Sequence, residues 1–453
     1  MTRDLTSGRP MKLLLQFGVP ILLGLLFQQL YSAVDTAIVG KFLGGSALAA
    51  VGSTGSINFL VVGGCMGLCS GFAIPVAQQF GAGDYAEMRR YVACAARCCL
   101  ICTVLVTAAT LLFCRSILTA MHTPADIYDD ALHYIATIFA GLGGYILYNM
   151  AAGILRSLGD SRTPVLWLAA ASVTNIALDL LFIINFRMGV FGAALATVLS
   201  QLMAGAGCLI RVCRGFDVLR LEREDWTWSW ARTRTLLTLG LPMGLQYSIT
   251  AIGSIMLQSA VNSLGTAYVT ATTAASKAAV FLCCPFDAMG AAMVTYGGQN
   301  VGAKQWARLH QGVLACTILG AAYAVIALCA VAVLGSPMVM LFLDQASAAL
   351  APLARQYMLT QALFYFPLSL VNIYRFMIQG MGFSPLATCA GVMEMAGRGL
   401  VAHLVTVLGY SAACFASPAA WILADLFLLP AYFWCARRVQ YGPSNRRQAA
   451  LAA

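Results

Sequence analysis

Charge is what this sequence has least of. Only 10% of its 453 residues are Asp, Glu, Lys or Arg, against roughly 25% in a soluble globular chain. Acids are scarcest, 17 against 27 Lys and Arg, and the four histidines (His122, His133, His310 and His403) lie far apart. No nucleophile–base pair and no carboxylate dyad of the usual enzymatic kind gathers in the sequence, so an enzyme is not expected. The sole Gly-Lys pair, Gly40-Lys41, runs on into Phe42. That excludes a phosphate-cradling Walker loop, and with it a visible site for ATP. Gly63-x-Cys65-x-Gly67 has the spacing of a nucleophile elbow, but no strand–turn–helix surrounds it. Cysteine is plentiful, 16 residues, yet unpatterned. Cys99 and Cys102 form a C-x-x-C whose neighbours are Leu100 and Ile101, with no second pair at zinc spacing. These cysteines read as small packing residues, and neither a disulfide framework nor a metal site is expected.

Long apolar runs fill the space that charge leaves. The chain is 60% hydrophobic, with a mean hydropathy of +0.81. Runs of this length predict membrane-spanning helices; a β-barrel would show short alternating segments instead. Spans are expected near 13–40, 47–79, 91–114, 127–157, 163–185, 189–212, 235–264, 268–299, 306–334, 349–381, 385–408 and 413–436. Arg3, Arg9 and Lys12 before the first run imitate a signal peptide, but that run is too long for one and is taken as the first span. With the N-terminus in the cytoplasm, Lys and Arg in alternate loops fall 20 inside and 3 outside (Lys41, Arg115 and Arg187). This is a strong positive-inside bias. It accounts for the +10 net charge as topology, so a nucleic-acid partner is not expected.

The sequence repeats itself at an offset of about 222 residues. Phe17-Gly-Val-Pro20 is echoed by Leu239-Gly-Leu-Pro242, and Leu43-Gly44 by Leu264-Gly265. Gln78-Gln-Phe-Gly-Ala82 is echoed by Gln299-Asn-Val-Gly-Ala303, and Asn149 by Asn372. The fold expected is therefore an all-α polytopic membrane protein of about 12 spans in two parallel, pseudo-twofold-related six-helix bundles. Residues 1–213 form the first lobe, 214–234 a charged cytoplasmic loop, and 235–453 the second lobe with a basic tail.

Five acids fall inside spans: Asp35, Asp179, Asp287, Glu394 and Asp425. A carboxylate in hydrocarbon is expensive unless paired, hydrated or neutralised, so each needs a reason. Glu394 and Arg398 sit four apart on one helix face and read as a structural pair. Asp287 follows Pro285, and Lys277 and Arg375 are the polar candidates to serve the second lobe. Asp35 and Asp179 differ because their depths coincide. At 1.5 Å per residue, Asp35 lies about 8 Å below the outer end of its span and Asp179 about 9 Å below its own. Asn175 is one turn deeper on the same face as Asp179, and Thr197 enters the next span about 12 Å from Gly189. Two carboxylates, an amide and a hydroxyl at one depth suit a hard cation such as Na⁺. Two close carboxylates that do not both ionise readily also suit a proton. Pro20 lies inside the first span, where it removes a backbone bond and makes a hinge. Gly63, Gly67 and Gly71 recur every fourth residue, a stripe for close helix packing.

These motifs resemble those of the multidrug and toxic compound extrusion (MATE) family. The resemblance rests on Tyr31-Ser-Ala-Val-Asp-Thr-Ala-Ile-Val-Gly40, Gln78–Ala82, Asn175-Ile-Ala-Leu-Asp179, Gly189–Thr197 and Gln299–Ala303, in that order. It covers about 11–440 and looks nearest to the bacterial DNA-damage-inducible-F-like branch. It implies two six-helix lobes, export of organic cations and similar compounds, and coupling to Na⁺ or H⁺. It also implies a first-lobe cation site at Asp35, Asn175, Asp179 and Thr197, a kinking proline at Pro20, and a cavity aromatic at Tyr134. Some members place an acid on the seventh helix, but residues 249–263 hold none here.

The expectation is then a cation-coupled antiporter of the bacterial cytoplasmic membrane, with both termini cytoplasmic. It would need no cofactor beyond the coupling ion, and its partners would be small organic substrates and the bilayer around a monomer. The alternative within the same superfamily is a flippase for lipids or lipid-linked oligosaccharides, which would favour extra helices and a strongly cationic cavity. An ion channel would differ in showing flux without exchange.

Overall fold

In the computed structural model, residues 4–121, 123–343 and 345–441 are described, and all regular structure among them is helical. His122 and the basic tail beyond Tyr441 lie outside them. The helices are α1 (Pro10–Leu43), α2 (Gly45–Ser53), α3 (Gly55–Ala82), α4 (Tyr85–Ala120), α5 (Tyr128–Ala140), α6 (Leu142–Ser157), α7 (Arg162–Leu180) and α8 (Gly189–Gly215). After two 3₁₀ turns come α9 (Trp230–Asn262), α10 (Thr266–Gly302), α11 (Trp306–Met340), α12 (Ala351–Leu363), α13 (Tyr365–Gly380), α14 (Ser384–Leu408) and α15 (Tyr410–Tyr441). Nine of these, counting α7 with the turn after it, are long and apolar enough to cross a membrane. The bent pair α5–α6 makes ten, with a 42° break. The break falls at Gly141, where a Cβ would overlap the side chain of Val198. The predicted spans 349–381 and 385–408 are also helical, as α12–α13 and α14.

The repeat survives in the helix lengths. The broken pairs α5–α6 and α12–α13 each run 13 and then 16 residues. Asn149 and Asn372 both donate back into their own helix, to Tyr145 O at 2.8 Å and to Leu368 O at 3.2 Å.

Packing divides the chain into two units at different points from 213 and 235. One unit contains Leu23–Tyr247; the other contains Leu5–Leu22 and Ser248–Ala453. Helices α1 and α9 are each shared between the units, and side-chain chemistry explains why.

In the first unit, the glycine stripe of α3 meets the first half of α9. A Cβ on Gly67 would overlap the Met243 carbonyl, and one on Gly71 would overlap the backbone of Gly240. Backbones this close need residues without side chains. The charged loop before α9 is folded onto α4. Arg89 Nε pairs with Asp225 at 3.0 Å, and Arg97 donates to Trp226 O and Thr227 O at 3.0 and 3.2 Å. Arg232 grips Glu87 through both carboxylate oxygens, at 2.7 and 2.9 Å. The core is apolar on either side of α6, with Phe72, Ile146 and Leu155 in one cluster and Ile38, Tyr134, Ile138 and Ile183 in another.

In the second unit, the segment before α1 is held by its backbone. Leu5 is buried, its N–H donating to Gln299 Oε1 at 2.9 Å. Its carbonyl accepts from Asn300 Nδ2 at 3.3 Å and Arg308 Nη2 at 3.2 Å, and Arg308 Nη1 donates to Gly8 O at 2.9 Å. The motif Gln299-Asn300 thus docks the N-terminal segment and so carries the first turns of α1 into this unit. An aromatic cluster of Phe286, Tyr323, Tyr365 and Trp421 fills its interior.

Candidate functional site

The first unit places the four sequence-predicted ligands on three helices. Asp35 is on α1, Asn175 and Asp179 on α7, and Thr197 on α8. Asn175 and Asp179 share a face of α7 by their i,i+4 spacing, and both are fully enclosed, 1% and 0% exposed. Immediately after Asp179 the helix widens into a π turn, Leu181–Asn185. Such turns are rare and concentrate at functional sites. Beyond it a tight turn brings the chain back, with φ +60° at Gly189, a conformation glycine adopts freely. Gly192 then lets α8 lie against the π turn, since a Cβ there would come within 3.0 Å of Phe182 Cβ. This reversal carries Thr197 back to the level of Asn175.

Asn175 Nδ2 donates to Thr197 Oγ1 at 3.4 Å, and Thr197 Oγ1 donates to Ala193 O at 3.1 Å. Asp35 and Asp179 are neighbours across α1 and α7, close enough for each carboxyl to bear on the other's charge. The structure thus brings together the four residues chosen by depth. What marks the place chemically is an excess of acceptors. Asp35 Oδ1, Asn175 Oδ1 and both oxygens of Asp179 are buried and have no hydrogen-bond partner among the described residues. A buried oxygen without a donor forfeits about 1–3 kcal/mol, and more when charged. Two neighbouring carboxylates in such a setting also repel each other. A proton would bridge the two carboxyls, and a small hard cation could take several of these oxygens at once. Among the described residues, no group of three or more His, Cys, Asp or Glu is arranged to hold a metal ion. A hard monovalent ion, which carbonyl and hydroxyl oxygens also serve, fits this donor set better than a transition metal.

An aromatic collar surrounds the pair. Tyr134 is 7% exposed and lies in the electrostatic range of Asp35, Asp179 and Tyr31. Tyr31 takes a hydrogen bond from Gln201 Nε2 at 3.4 Å, and Tyr145 stands near Tyr31, Tyr134 and Asp35. The sequence reading named Tyr134 but not Tyr31, Tyr145 or Gln201. A helical signal was there for two of them: Tyr31 is one turn before Asp35, and Gln201 one turn after Thr197.

Pro20 lies inside α1, two residues before the point where that helix passes from one unit to the other at Leu22. The second-unit candidates do not form a comparable site. Glu394 is paired with Arg398 at 3.6 Å as its spacing predicts, but its shorter bond is to Arg375, from α13. All three are buried. Asp425 and Asp287 both lie within the field of Arg375. Lys277 is exposed on α10 and joins no ion pair among the described residues. Glu394 is thus held by two guanidiniums, whereas Asp425 Oδ1, like the first-unit oxygens, is buried without a hydrogen-bond partner among the described residues.

The protein-family model described as MatE matches this chain twice, over residues 20–181 and 242–417. The matches begin at Pro20 and Pro242, which reproduces the internal repeat. The chain is 31% identical over 303 residues to "Probable multidrug resistance protein YpnP" of Bacillus subtilis, covering 66% of this chain and 67% of that protein. It is 27% identical over 302 residues to "Probable multidrug resistance protein YoeA" of the same organism, covering 65% of each. The chain thus spans about two thirds of the length of these curated relatives. Its fold is that of the solved structure titled "Crystal structure of MATE in complex with MaL6", with a TM-score of 0.89 at 22% identity, over 97% of this chain and 99% of that one.

Proposed function

The chain belongs to the MatE family, whose members are multi-pass membrane transporters and not enzymes, and on that premise we propose that it is a cation-coupled antiporter exporting organic compounds. The observation that carries this reading is the set of buried, donorless oxygens on Asp35, Asn175 and Asp179 beside Thr197. Na⁺ or H⁺ entering from outside neutralises the carboxyl pair. That removes the repulsion between α1 and α7 and changes the preferred course of α1 about Pro20. Substrate is released outward in one course of α1 and bound from the cytoplasm in the other. Coupling follows because the ion binds the two states with different affinity; an ion that bound both equally would drive nothing.

The substrates are organic, cationic or amphipathic compounds, in keeping with relatives named for multidrug resistance. Tyr134 and its aromatic neighbours offer such molecules apolar faces and polar edges. The protein works as a monomer in the bacterial cytoplasmic membrane with both termini in the cytoplasm, as the distribution of Lys and Arg directs.

The test is dye efflux from proteoliposomes, with ΔpH and ΔNa⁺ imposed separately. Wild-type protein is expected to respond to one or both gradients, and Asp35→Asn to neither while remaining folded and inserted. Undiminished gradient-driven efflux by Asp35→Asn would sink the mechanism.

A further inference from the structure

The second unit carries a groove with a distinct chemical grain. It is an open cavity of about 340 Å³ lined by Leu386 of α14 and by Phe427, Pro430, Ala431 and Trp434 of α15, with no polar side chain in its walls. Pro430 is inside α15 and supplies no N–H to the turn before it, so the wall of the groove is a place where the helix backbone is already interrupted. Phe383, just before α14, meets Trp434 edge-on, ring centroids 5.8 Å apart.

Charge appears beside Trp434. Arg438 lies one turn beyond Trp434 and stacks its guanidinium over the indole, 4.9 Å from the ring. Arg437 is beside it, and both are exposed. Neither pairs with a carboxylate among the described residues. No acid occurs from Leu426 to the C-terminus, whereas Arg446 and Arg447 follow. The sequence of surfaces along α15 is therefore apolar groove, interfacial tryptophan, basic rim. It is the profile of a bilayer leaflet read from its hydrocarbon to its phosphates.

We propose that this groove is a binding site for an anionic phospholipid. One acyl chain lies along Leu386, Phe427 and Pro430, and the phosphate headgroup meets Arg437 and Arg438. The volume is at the lower end of the range for small-molecule sites, enough for a length of one chain and not for a whole lipid. Cation–π stacking on Trp434 holds Arg438 at the rim in advance, so the headgroup does not have to order it. A zwitterionic lipid fills the groove equally well but gains little from the rim. Selectivity for the anionic headgroup is thus the distinguishing property.

The experiment uses the full chain in nanodiscs and brominated lipids as quenchers of tryptophan fluorescence. Subtracting Trp434→Phe from wild type isolates the Trp434 signal. Brominated phosphatidylglycerol is expected to quench that signal several-fold more strongly than brominated phosphatidylcholine at equal mole fraction. The preference should disappear in Arg437→Gln/Arg438→Gln and in high salt. Leu386→Phe, which fills the groove without adding a fluorophore of the tryptophan kind and leaves the arginines in place, should also abolish it; thermal unfolding of each variant checks that the fold is kept. Equal quenching by the two lipids, or a preference that survives the double arginine substitution, would overturn the proposal.

Discussion

Asp35 of α1 and Asp179 of α7 are neighbouring carboxyls from two different helices, and at the ordinary ionisation of a carboxylate neither has a hydrogen to offer the other. Both oxygens of Asp179 and one of Asp35 are buried without a donor. The contact is stable only when something positive sits in it. Under the proposed reading this makes the pair the point at which the ion gradient enters the mechanism.

Protons and Na⁺ then compete for the same oxygens. Protonation removes the charge that holds the metal ion, so apparent Na⁺ affinity must fall as pH falls. Calorimetric titration of Na⁺ into purified protein at mildly alkaline and mildly acid pH is expected to show weaker binding in acid, and no binding in Asp179→Asn. A Na⁺ affinity independent of pH would show that the two ions do not share this site.

Thr197 accepts from Asn175, which engages the amide nitrogen and, under the proposed reading, leaves Oδ1 for the ion. Thr197→Val preserves shape and removes the acceptor, leaving a buried amide donor at a cost of about 1–3 kcal/mol. Ion affinity is expected to drop about tenfold, which is about 1.4 kcal/mol, and Thr197→Ser should restore it. Failure of serine to rescue would assign the loss to packing of the methyl group.

Gly67 and Gly71 leave no room for a side chain against α9, while a Cβ on neighbouring Gly64 meets only Gly244 O at 4.0 Å. Gly67→Ala and Gly71→Ala are expected to destabilise the protein by about 1–3 kcal/mol through overpacking. Gly64→Ala should be nearly neutral. Thermal unfolding in detergent distinguishes them, and equal midpoints for all three would contradict the close approach of the two backbones.

Arg308 donates to Leu5 O and Gly8 O and also to Asn300 Oδ1 at 3.1 Å. Arg308→Ala removes three charge-assisted bonds and should loosen the segment before α1. Hydrogen exchange at residues 5–9 is expected to quicken at least about tenfold, since bonds to a charged group contribute about 1.5–3 kcal/mol each. Unchanged exchange there would mean that Gln299 and Asn300 suffice to hold it.

Much of this was legible in the sequence because the bilayer imposes simple lengths. Apolar runs announced the helices, helix rise matched Asp35 to Asp179, and the i,i+4 spacing announced Glu394–Arg398. Rotation of one helix about its axis against another was not legible, because it is set by side chains far apart in sequence. Arg375 therefore came to Glu394 unannounced, from a helix 19 residues upstream. The same is true of Leu5–Leu22, whose place was decided by Gln299, Asn300 and Arg308. The breaks at Gly141 and after Asp179 were missed for another reason. Each lies inside an unbroken apolar run, so hydropathy passes over it.

The π turn at Leu181–Asn185 has a consequence for how the chain tolerates a change in length. A turn of this kind holds one residue more than an α turn needs. Deleting a single residue there would let α7 run on as ordinary helix, and each residue of ordinary helix turns the chain by about 100°. Asp179 would keep its place, but everything that follows, Thr197 included, would be delivered at a different angle. The donor set is thus indexed by a count of residues as well as by their identity. A one-residue deletion in this apolar, apparently featureless stretch should be as damaging to ion binding as the loss of a ligand.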